Sequence, residues 1–305
     1  MRMQNKLPWV IFMEKYVFRK YLPFLLLIPS FIIVLFIIVI PLLNSFYLSL
    51  TNYVLLKPGS GEFIGFKNYA KIILDPVFHQ AFKNTLLLMI VAVNTELWIG
   101  LGIALLLYKE FYGRGIIISL LVIPMTVAPI VIGLQFKWLF NEVYGVINYI
   151  LTGLKIINEP IAWLIQPNVA FIPILIAEIW QWTPFMIMVM IAGLQSVPRE
   201  LIEAAEIDGA TAFQRFRYII FNHIKPILWI ALTIRSIDVV RIFDVIQIMT
   251  GGGPAHATEV LGTFIYRTAL VDRQFAYGLA GAYIAMLISI IFAWYLFRQV
   301  RKVAI

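Results

Sequence analysis

The sequence predicts an all-α membrane protein with six transmembrane helices. Three observations support this fold class. Of the 305 residues, 62% are hydrophobic and only 13% are charged, the mean hydropathy is +0.90, and long apolar stretches recur between short polar connections. Soluble domains have about 45–50% apolar and roughly 25% charged residues. Lipid is therefore the solvent that suits most of this chain.

Six apolar stretches are long enough to cross the hydrocarbon core of a bilayer, which takes roughly 20 helical residues. They belong to one predicted membrane domain, residues 21–297. The first is longer than the apolar region of a signal peptide and lacks a small-residue cleavage site, so we expect it to be a retained span. The predicted spans cover residues 21–48, 84–107, 115–140, 170–194, 227–250 and 277–297.

The distribution of basic residues predicts that both termini are cytoplasmic. Fourteen of the 24 Lys and Arg residues fall on the side of the N-terminus and eight on the other side, and cytoplasmic loops carry the excess of such residues. Within the N-terminal segment 1–20, aromatic and basic residues predict an interfacial helix from Pro8 to Tyr21. Residues 298–305 form a predicted cytoplasmic tail. Asn141 to Asn168 is too polar for a span, but its apolar spacing predicts a helix on the outer face.

Several function classes are excluded by what the sequence lacks. It contains no cysteine, so structural disulfides and thiol metal sites are excluded. It has no phosphate-binding loop, no H-E-x-x-H and no G-x-S-x-G pattern. His79, His223 and His256 are scattered and suggest no ligand set. We expect a chain that is not an enzyme and binds no cofactor or metal of its own.

The segment between the fourth and fifth spans predicts a short amphipathic helix that ends at a glycine. Pro198 suits the first turn of a helix. Gly209 can take a positive φ and end it. Residues spaced at i, i+3, i+4 and i+7 define one face of this helix: Leu201, Ala204, Ala205 and Asp208.

A second short helix is predicted to follow. Thr211 can cap it, and Phe213, Phe216 and Ile220 would share one face. The residues alone leave two interpretations open. The segment packs on its own bundle, or it projects and docks in a groove of another protein, with the small Ala204 and Ala205 leaving one side flat.

The order Glu-Ala-Ala, Asp-Gly-Ala, Phe and then proline resembles the EAA loop of ABC importer permeases. In that family the loop, here residues 195–226, is the coupling helix that docks on the nucleotide-binding subunit. Asn222 stands where the family usually has a proline, so the break at Pro226 is expected to be shifted. The matching residues are Glu203, Ala204, Ala205, Asp208, Gly209, Ala210 and Phe216.

Three further segments resemble the carbohydrate, maltose-type branch of this family. They are Phe63 to Thr85, Trp180 to Pro198, and Arg235 to Pro254. The last ends in Thr-Gly-Gly-Gly-Pro, which is typical of the first of that branch's two permease subunits, although glycines alone also indicate a plain turn.

The resemblance implies a type I ABC importer permease fold in the cytoplasmic membrane, working by alternating access. It implies a second homologous permease subunit, an extracytoplasmic solute-binding protein, and two ATPase subunits that use ATP and Mg²⁺. Nucleic acid is not an expected partner. The implied solute is a disaccharide, oligosaccharide or polyol derivative.

Charged residues inside the predicted spans require partners, because each costs about 2.5–3.5 kcal/mol at the bilayer centre. Glu96 and Glu178 lie in the second and fourth spans. In the fifth span, acidic and basic residues alternate at i, i+3 spacing and predict a ladder that neutralises itself. The alternative is that some of these groups face a polar solute path. The ladder consists of Arg235, Asp238, Arg241 and Asp244.

Aromatic, amide and carboxylate groups suit sugars, because a pyranose has an apolar face and a hydroxyl rim. Trp180 and Trp182 are equally consistent with an interfacial belt or helix packing. The candidate path residues are Glu178, Trp180, Gln181, Trp182, Asp238, Asp244 and Gln247.

A rival hypothesis is an ion-coupled secondary transporter or channel that uses Glu96, Glu178 and Asp238 as proton or cation sites. Such proteins often contain inverted repeats and helices broken at midplane, which the sequence does not reveal. An intramembrane enzyme is less favoured still, because no nucleophile–base pair or metal constellation is evident.

Overall fold

The computed structural model describes residues 19–304, and it confirms the predicted all-helical class. Apart from one isolated bridge between Thr51 and Phe63, the regular elements in this part of the chain are helical. The predicted interfacial helix over Pro8 to Tyr21 lies almost wholly outside the described residues.

The helices follow the apolar stretches with two exceptions, the third and the fifth. Four helical stretches among the described residues are long and apolar enough to cross a membrane. A fifth crossing exists only if a sharply bent pair counts as one span. The elements are α1 (Arg19–Val34), α2 (Ile40–Ser49), α3 (Lys67–Ile73), α4 (Pro76–Leu107), α5 (Arg114–Thr126), α6 (Pro129–Leu139), α7 (Val146–Gly153), α8 (Phe171–Gln195), α9 (Arg199–Ile207), α10 (Ala212–Arg215), α11 (Phe221–Val240), α12 (Asp244–Met249), α13 (Leu261–Tyr266) and α14 (Phe275–Ala304).

The first span is a continuous apolar rod that stands on the outside of the bundle. A π-helical turn, Leu35–Val39, joins α1 to α2. No residue in its most apolar window is buried, so this surface is available to lipid or to another subunit. Its attachment is at the end of α2, where the hydroxyls of Ser45 and Tyr283 lie 2.8 Å apart.

Helices α4 and α8 form the centre of the core. At their crossing, a Cβ added to Gly100 would lie 2.6 Å from the Cβ of Met186, so the two backbones approach as closely as glycine permits. Glu96 and Glu178 bind the same arginine, and further along both helices Gly100 lies against Met186. Residue numbers therefore increase in the same direction along α4 and α8, so the two helices run parallel. The loop after α4 and the loop after α8 are consequently at the same end of the bundle.

The predicted third span, residues 115–140, is not one straight helix. It breaks between α5 and α6 with a bend of 93°. Pro129 disfavours helical geometry in the residue before it, and Val127 and Ala128 are extended, with ψ values of 137° and 136°.

The predicted fifth span, residues 227–250, also breaks. Helix α11 ends at Val240, and α12 begins at Asp244 after a residue, Phe243, with φ −144°. The outer halves of the two broken spans pack together, and Lys137 on α6 donates a hydrogen bond to the carbonyl of Ile248 at 2.9 Å. The two breaks therefore belong to one structural unit.

The irregularity before the fifth span is shifted away from Pro226. Pro226 lies inside α11, and the irregularity is a π-helical turn at Phe216–Ile220 that joins α10 to α11. An inserted π turn displaces the helix without ending it. A shift was expected, but it takes the form of a π turn and not of a helix end.

The polar stretch from Asn141 to Asn168 contains the predicted short helix, α7. Its buried Asn148 ties the loop together, because its amide nitrogen donates to the carbonyls of Glu142 and Ile161 and its oxygen accepts from the indole of Trp163. The predicted apolar face of this stretch includes Tyr144 and Ile147. Ile147 packs on the core, whereas Tyr144 is exposed.

Candidate functional site

An arginine lies buried between two carboxylates in the core. Arg235 on α11 donates from Nε and Nη2 to both oxygens of Glu96, at 2.8 and 3.0 Å. Its Nη2 also donates to Oε1 of Glu178 at 2.8 Å. The three side chains are between 0 and 3% exposed, so each charge depends on the others for compensation.

An indole completes the surroundings of Arg235. The guanidinium carbon lies 4.6 Å from the ring centroid of Trp182, a distance at which a cation is attracted to an aromatic face. Trp182 is therefore held in position by the same group that joins α4, α8 and α11.

Of the three i, i+3 pairs in the predicted ladder along the fifth span, only the pair of Asp238 and Arg241 forms among the described residues. Arg235 pairs with Glu96 on α4 and Glu178 on α8 and not with Asp238, which is three residues further along its own helix. Arg241 does pair with Asp238, at 2.9 Å and near the surface. Asp244 has no basic group within 4 Å among residues 19–304, because the helix ends before it and the i, i+3 register is lost.

A polar cavity of about 300 Å³ lies where the two broken spans meet. Small-molecule sites occupy roughly 300–1,000 Å³. Irregular backbone at membrane depth is tolerated where protein buries it or where it lines a water-filled space, and both breaks contribute to this wall. The lining residues are Pro129, Glu178, Gln181, Trp182, Arg235, Asp238, Arg241, Ile242, Phe243, Asp244 and Val245.

Gln181 connects this cavity to the bend between α5 and α6. Its Nε2 donates to the carbonyl of Val127 at 3.2 Å, which satisfies a backbone group that the broken helix leaves open. Its Oε1 is buried and has no hydrogen-bond partner in the described part of the chain. A buried acceptor of this kind is rare in native proteins and suits a donor from a ligand or a water.

The structure brings together five of the seven candidate path residues, and two lie elsewhere. Trp180 is 44% exposed on another side of α8, with its ring 5.6 Å from that of Phe136. Gln247 lies on α12 but does not line the cavity. Helical rotation explains the position of Trp180, since a residue one or two positions away from a wall residue on α8 points to a different neighbour.

Three charged residues of this site were not among the candidate path residues. Glu96 was a candidate for the rival hypothesis, and Arg235 and Arg241 were assigned to the ladder. The signal for Glu96 was present, because a carboxylate in an otherwise apolar stretch has to find a partner. Which cation it would find depends on helix packing.

The segment between α8 and α11 projects from the bundle as an elbow, defined as residues 199–215. Helix α9 has no buried residue, and Ile207 is 86% exposed. Gly209 has φ +77°, a conformation in which a side chain is strained. These observations favour the projecting interpretation over packing on the chain's own bundle.

The second half of the elbow is capped as predicted. Thr211 and Gln214 form a reciprocal capping box at the start of α10. Arg215 reaches back across the turn to the carbonyl of Ala210 at 2.8 Å and to Glu206 at 3.2 Å. The predicted apolar face is only partly packed, because Phe213 is 73% exposed. The elbow is thus locally ordered and presents apolar side chains outward.

Comparisons with known proteins agree with these features. Residues 96–305 match the family described as binding-protein-dependent transport system inner membrane component. The chain is 38% identical over 245 residues to the trehalose/maltose transport system permease protein MalF of Thermococcus litoralis, covering 80% of this chain and 82% of that protein.

A second relative is the sulfoquinovosyl glycerol transport system permease protein SmoG of Agrobacterium fabrum. It is 37% identical over 270 residues, covering 88% of this chain and 87% of that protein. Among solved structures, a chain of a bacterial ABC transporter involved in the import of the acidic polysaccharide alginate superposes with a TM-score of 0.81. It is 21% identical and covers 95% of this chain and 98% of its own length, which shows the shared fold.

Proposed function

This chain belongs to the family of binding-protein-dependent transport system inner membrane components, and on that premise we propose that it carries a carbohydrate across the cytoplasmic membrane by alternating access. It is a permease subunit of an ABC importer, with several membrane-spanning helices. Relatives named for trehalose/maltose and for sulfoquinovosyl glycerol support a disaccharide, oligosaccharide or polyol derivative.

The solute path runs through the cavity at the two helix breaks. Carboxylates and an amide there suit hydroxyl groups, and Trp182 offers an apolar ring. Trp180 and Gln247 are removed from the candidate set, because neither lines the cavity. The retained residues are Glu178, Gln181, Trp182, Asp238 and Asp244.

The elbow couples this path to ATP hydrolysis, which takes place in partner subunits that bind ATP and Mg²⁺. In this proposal Glu203 and Asp208 make polar contacts to the ATPase, and Gly209 forms the turn. Ala204 and Ala205 allow close approach, and Ala210 follows the turn. The exposed apolar side chains of the elbow support the proposal, since a monomeric protein gains nothing by presenting them to water.

The proposed assembly contains a second homologous permease subunit, two ATPase subunits and an extracytoplasmic solute-binding protein. The nearly unburied surface of α1 and α2 supports a further transmembrane neighbour. Both termini lie in the cytoplasm in this arrangement, on the side of the elbow.

The projecting elbow is the observation that carries the coupling proposal, and it can be tested by substitution. Gly209→Pro cannot adopt φ +77°, since proline requires a φ near −65°. Ala205→Glu places a charge on the docking side. We expect both variants to insert normally but to lose co-purified ATPase and binding-protein-stimulated ATP hydrolysis in the reconstituted complex.

The matched control is Tyr112→Glu, which adds a carboxylate at a fully exposed position of the neighbouring loop. It should retain stimulated hydrolysis. Normal stimulation in both elbow variants would refute docking at this segment. Uptake that stops on addition of an uncoupler at constant ATP would instead support the ion-coupled rival.

A further inference from the structure

Relatives of this chain are named for sugars that differ in charge, so family membership does not decide the charge of its solute. The charged groups in the wall of the polar cavity bear directly on the charge of the solute. We propose that this subunit admits uncharged, hydroxyl-rich carbohydrates and discriminates against acidic ones. This inference rests on the proposed function of the cavity as the solute path.

The first argument is the charge balance of the wall. Glu178, Asp238 and Asp244 line the cavity together with two arginines. Glu96 stands directly behind Arg235 and binds it through both oxygens. Four carboxylates and two guanidinium groups therefore share this part of the protein, so acidic groups outnumber basic ones.

The second argument is that the buried arginine of the wall is already occupied. Arg235 makes three hydrogen bonds to two glutamates and stacks on Trp182. Arg241 is paired with Asp238 at 2.9 Å near the surface. A solute carboxylate or sulfonate that binds Arg235 would have to displace one of its partners and leave a buried carboxylate of the protein uncompensated, which is strongly unfavourable away from water.

The third argument is the kind of hydrogen-bonding group that the wall leaves open. The buried Oε1 of Gln181 is an acceptor with no partner in residues 19–304. Asp244 is a carboxylate with no basic group within 4 Å in the same part of the chain. Acceptors require donors, and the hydroxyls of an uncharged sugar are donors that carry no charge.

Direct binding measurements can test this selectivity without involving the binding protein. The complex of this chain, its partner permease and the ATPase subunits would be placed in nanodiscs. Maltose, trehalose and cellobiose would each be titrated beside the uronate made by oxidising one primary alcohol of the same disaccharide. Each pair matches in size and differs in charge, and binding would be followed by calorimetry.

We expect uncharged probes to bind at least about 10-fold more tightly than their uronates, because like charges repel strongly in a desolvated site. In the double variant Asp238→Asn, Asp244→Asn, we expect the ratio to shrink to within about 3-fold, mainly through tighter uronate binding. Glu110→Gln, a carboxylate 79% exposed outside the cavity, should keep the wild-type ratio.

The possible outcomes distinguish a failure of the charge selectivity from a failure of the proposed carbohydrate path. Uronates that bind the wild-type complex as tightly as their parent sugars would overturn the selectivity and leave a carbohydrate path intact. A wild-type ratio that persists in the double variant would also overturn it, because the discrimination would then arise elsewhere. Binding of neither class would refute the carbohydrate path, and with it the inference.

Discussion

At the scale of single residues, Arg235 is the side chain that connects the central helices of the core. It joins three helices through two carboxylates and an indole, and it is 1% exposed. Such a cluster contributes little net stability compared with a well-packed apolar core, but removing one member leaves uncompensated charges. Its value here is positional, since the same groups form one wall of the cavity.

This dependence gives a prediction about stability. Arg235→Met leaves two buried carboxylates beside each other and should destabilise the protein by about 3–5 kcal/mol. Adding Glu96→Gln and Glu178→Gln removes both charges and should restore most of the loss. Thermal unfolding of the detergent-solubilised complex measures this. A single variant as stable as the wild type would mean that water reaches the cluster.

At the scale of elements, the packing of α4 on α8 depends on one glycine. Gly100 lies against Met186 so closely that a Cβ would come within 2.6 Å of it, whereas a Cβ on Gly102 meets nothing within 4 Å. The two glycines are in the same helix and two positions apart, so they form a natural matched pair.

We predict that Gly100→Ala lowers stability by about 1–3 kcal/mol, since the added methyl forces the two helices apart. Gly102→Ala should be neutral or stabilising by up to about 1 kcal/mol, because alanine favours the helix. Unfolding midpoints of the two variants in the same detergent provide the comparison. Equal effects would show that the crossing tolerates a wider separation.

Element boundaries show how far local sequence reasoning reaches. The end of α9 just before Gly209 and the capping by Thr211 were predicted, because glycine and a capping hydroxyl act on the few residues next to them. The bend before Pro129 was not predicted, although proline provided the signal, because the flanking residues are apolar enough to suggest one continuous helix. Pro226 shows the converse, since it is accommodated inside α11.

At the scale of the whole molecule, the parallel course of α4 and α8 places the loop around Tyr112 at the same end as the elbow. Helix α7 belongs to the connection on the other side of the predicted bilayer. The arrangement therefore predicts opposite accessibility for two exposed tyrosines, Tyr112 and Tyr149, which are 104% and 82% exposed.

The absence of cysteine from the sequence makes this prediction simple to test. A membrane-impermeant maleimide added to intact cells should label Tyr149→Cys but not Tyr112→Cys. Permeabilised cells should label both. Labelling of both variants in intact cells, or of Tyr112→Cys alone, would contradict the proposed cytoplasmic location of the elbow and the termini.

The sequence by itself determined the features that depend on neighbours along the chain. Apolar runs of roughly 20 residues specified the helical class, because a helix of that length crosses the hydrocarbon core with every backbone group bonded within its own segment. The elbow followed from a proline, a glycine and a capping threonine within a few residues. The family motif in this segment added the partners, and these remain proposals.

Only the tertiary structure decided which charges meet. Arg235 pairs with residues 139 and 57 positions away, although Asp238 stands three residues from it on the same helix. In a medium of low dielectric constant a buried cation gains most from carboxylates that can surround it, and α4 and α8 present two. That choice depends on how helices pack, as does the rotation that places Gln181 and Trp182 in the cavity and Trp180 outside it.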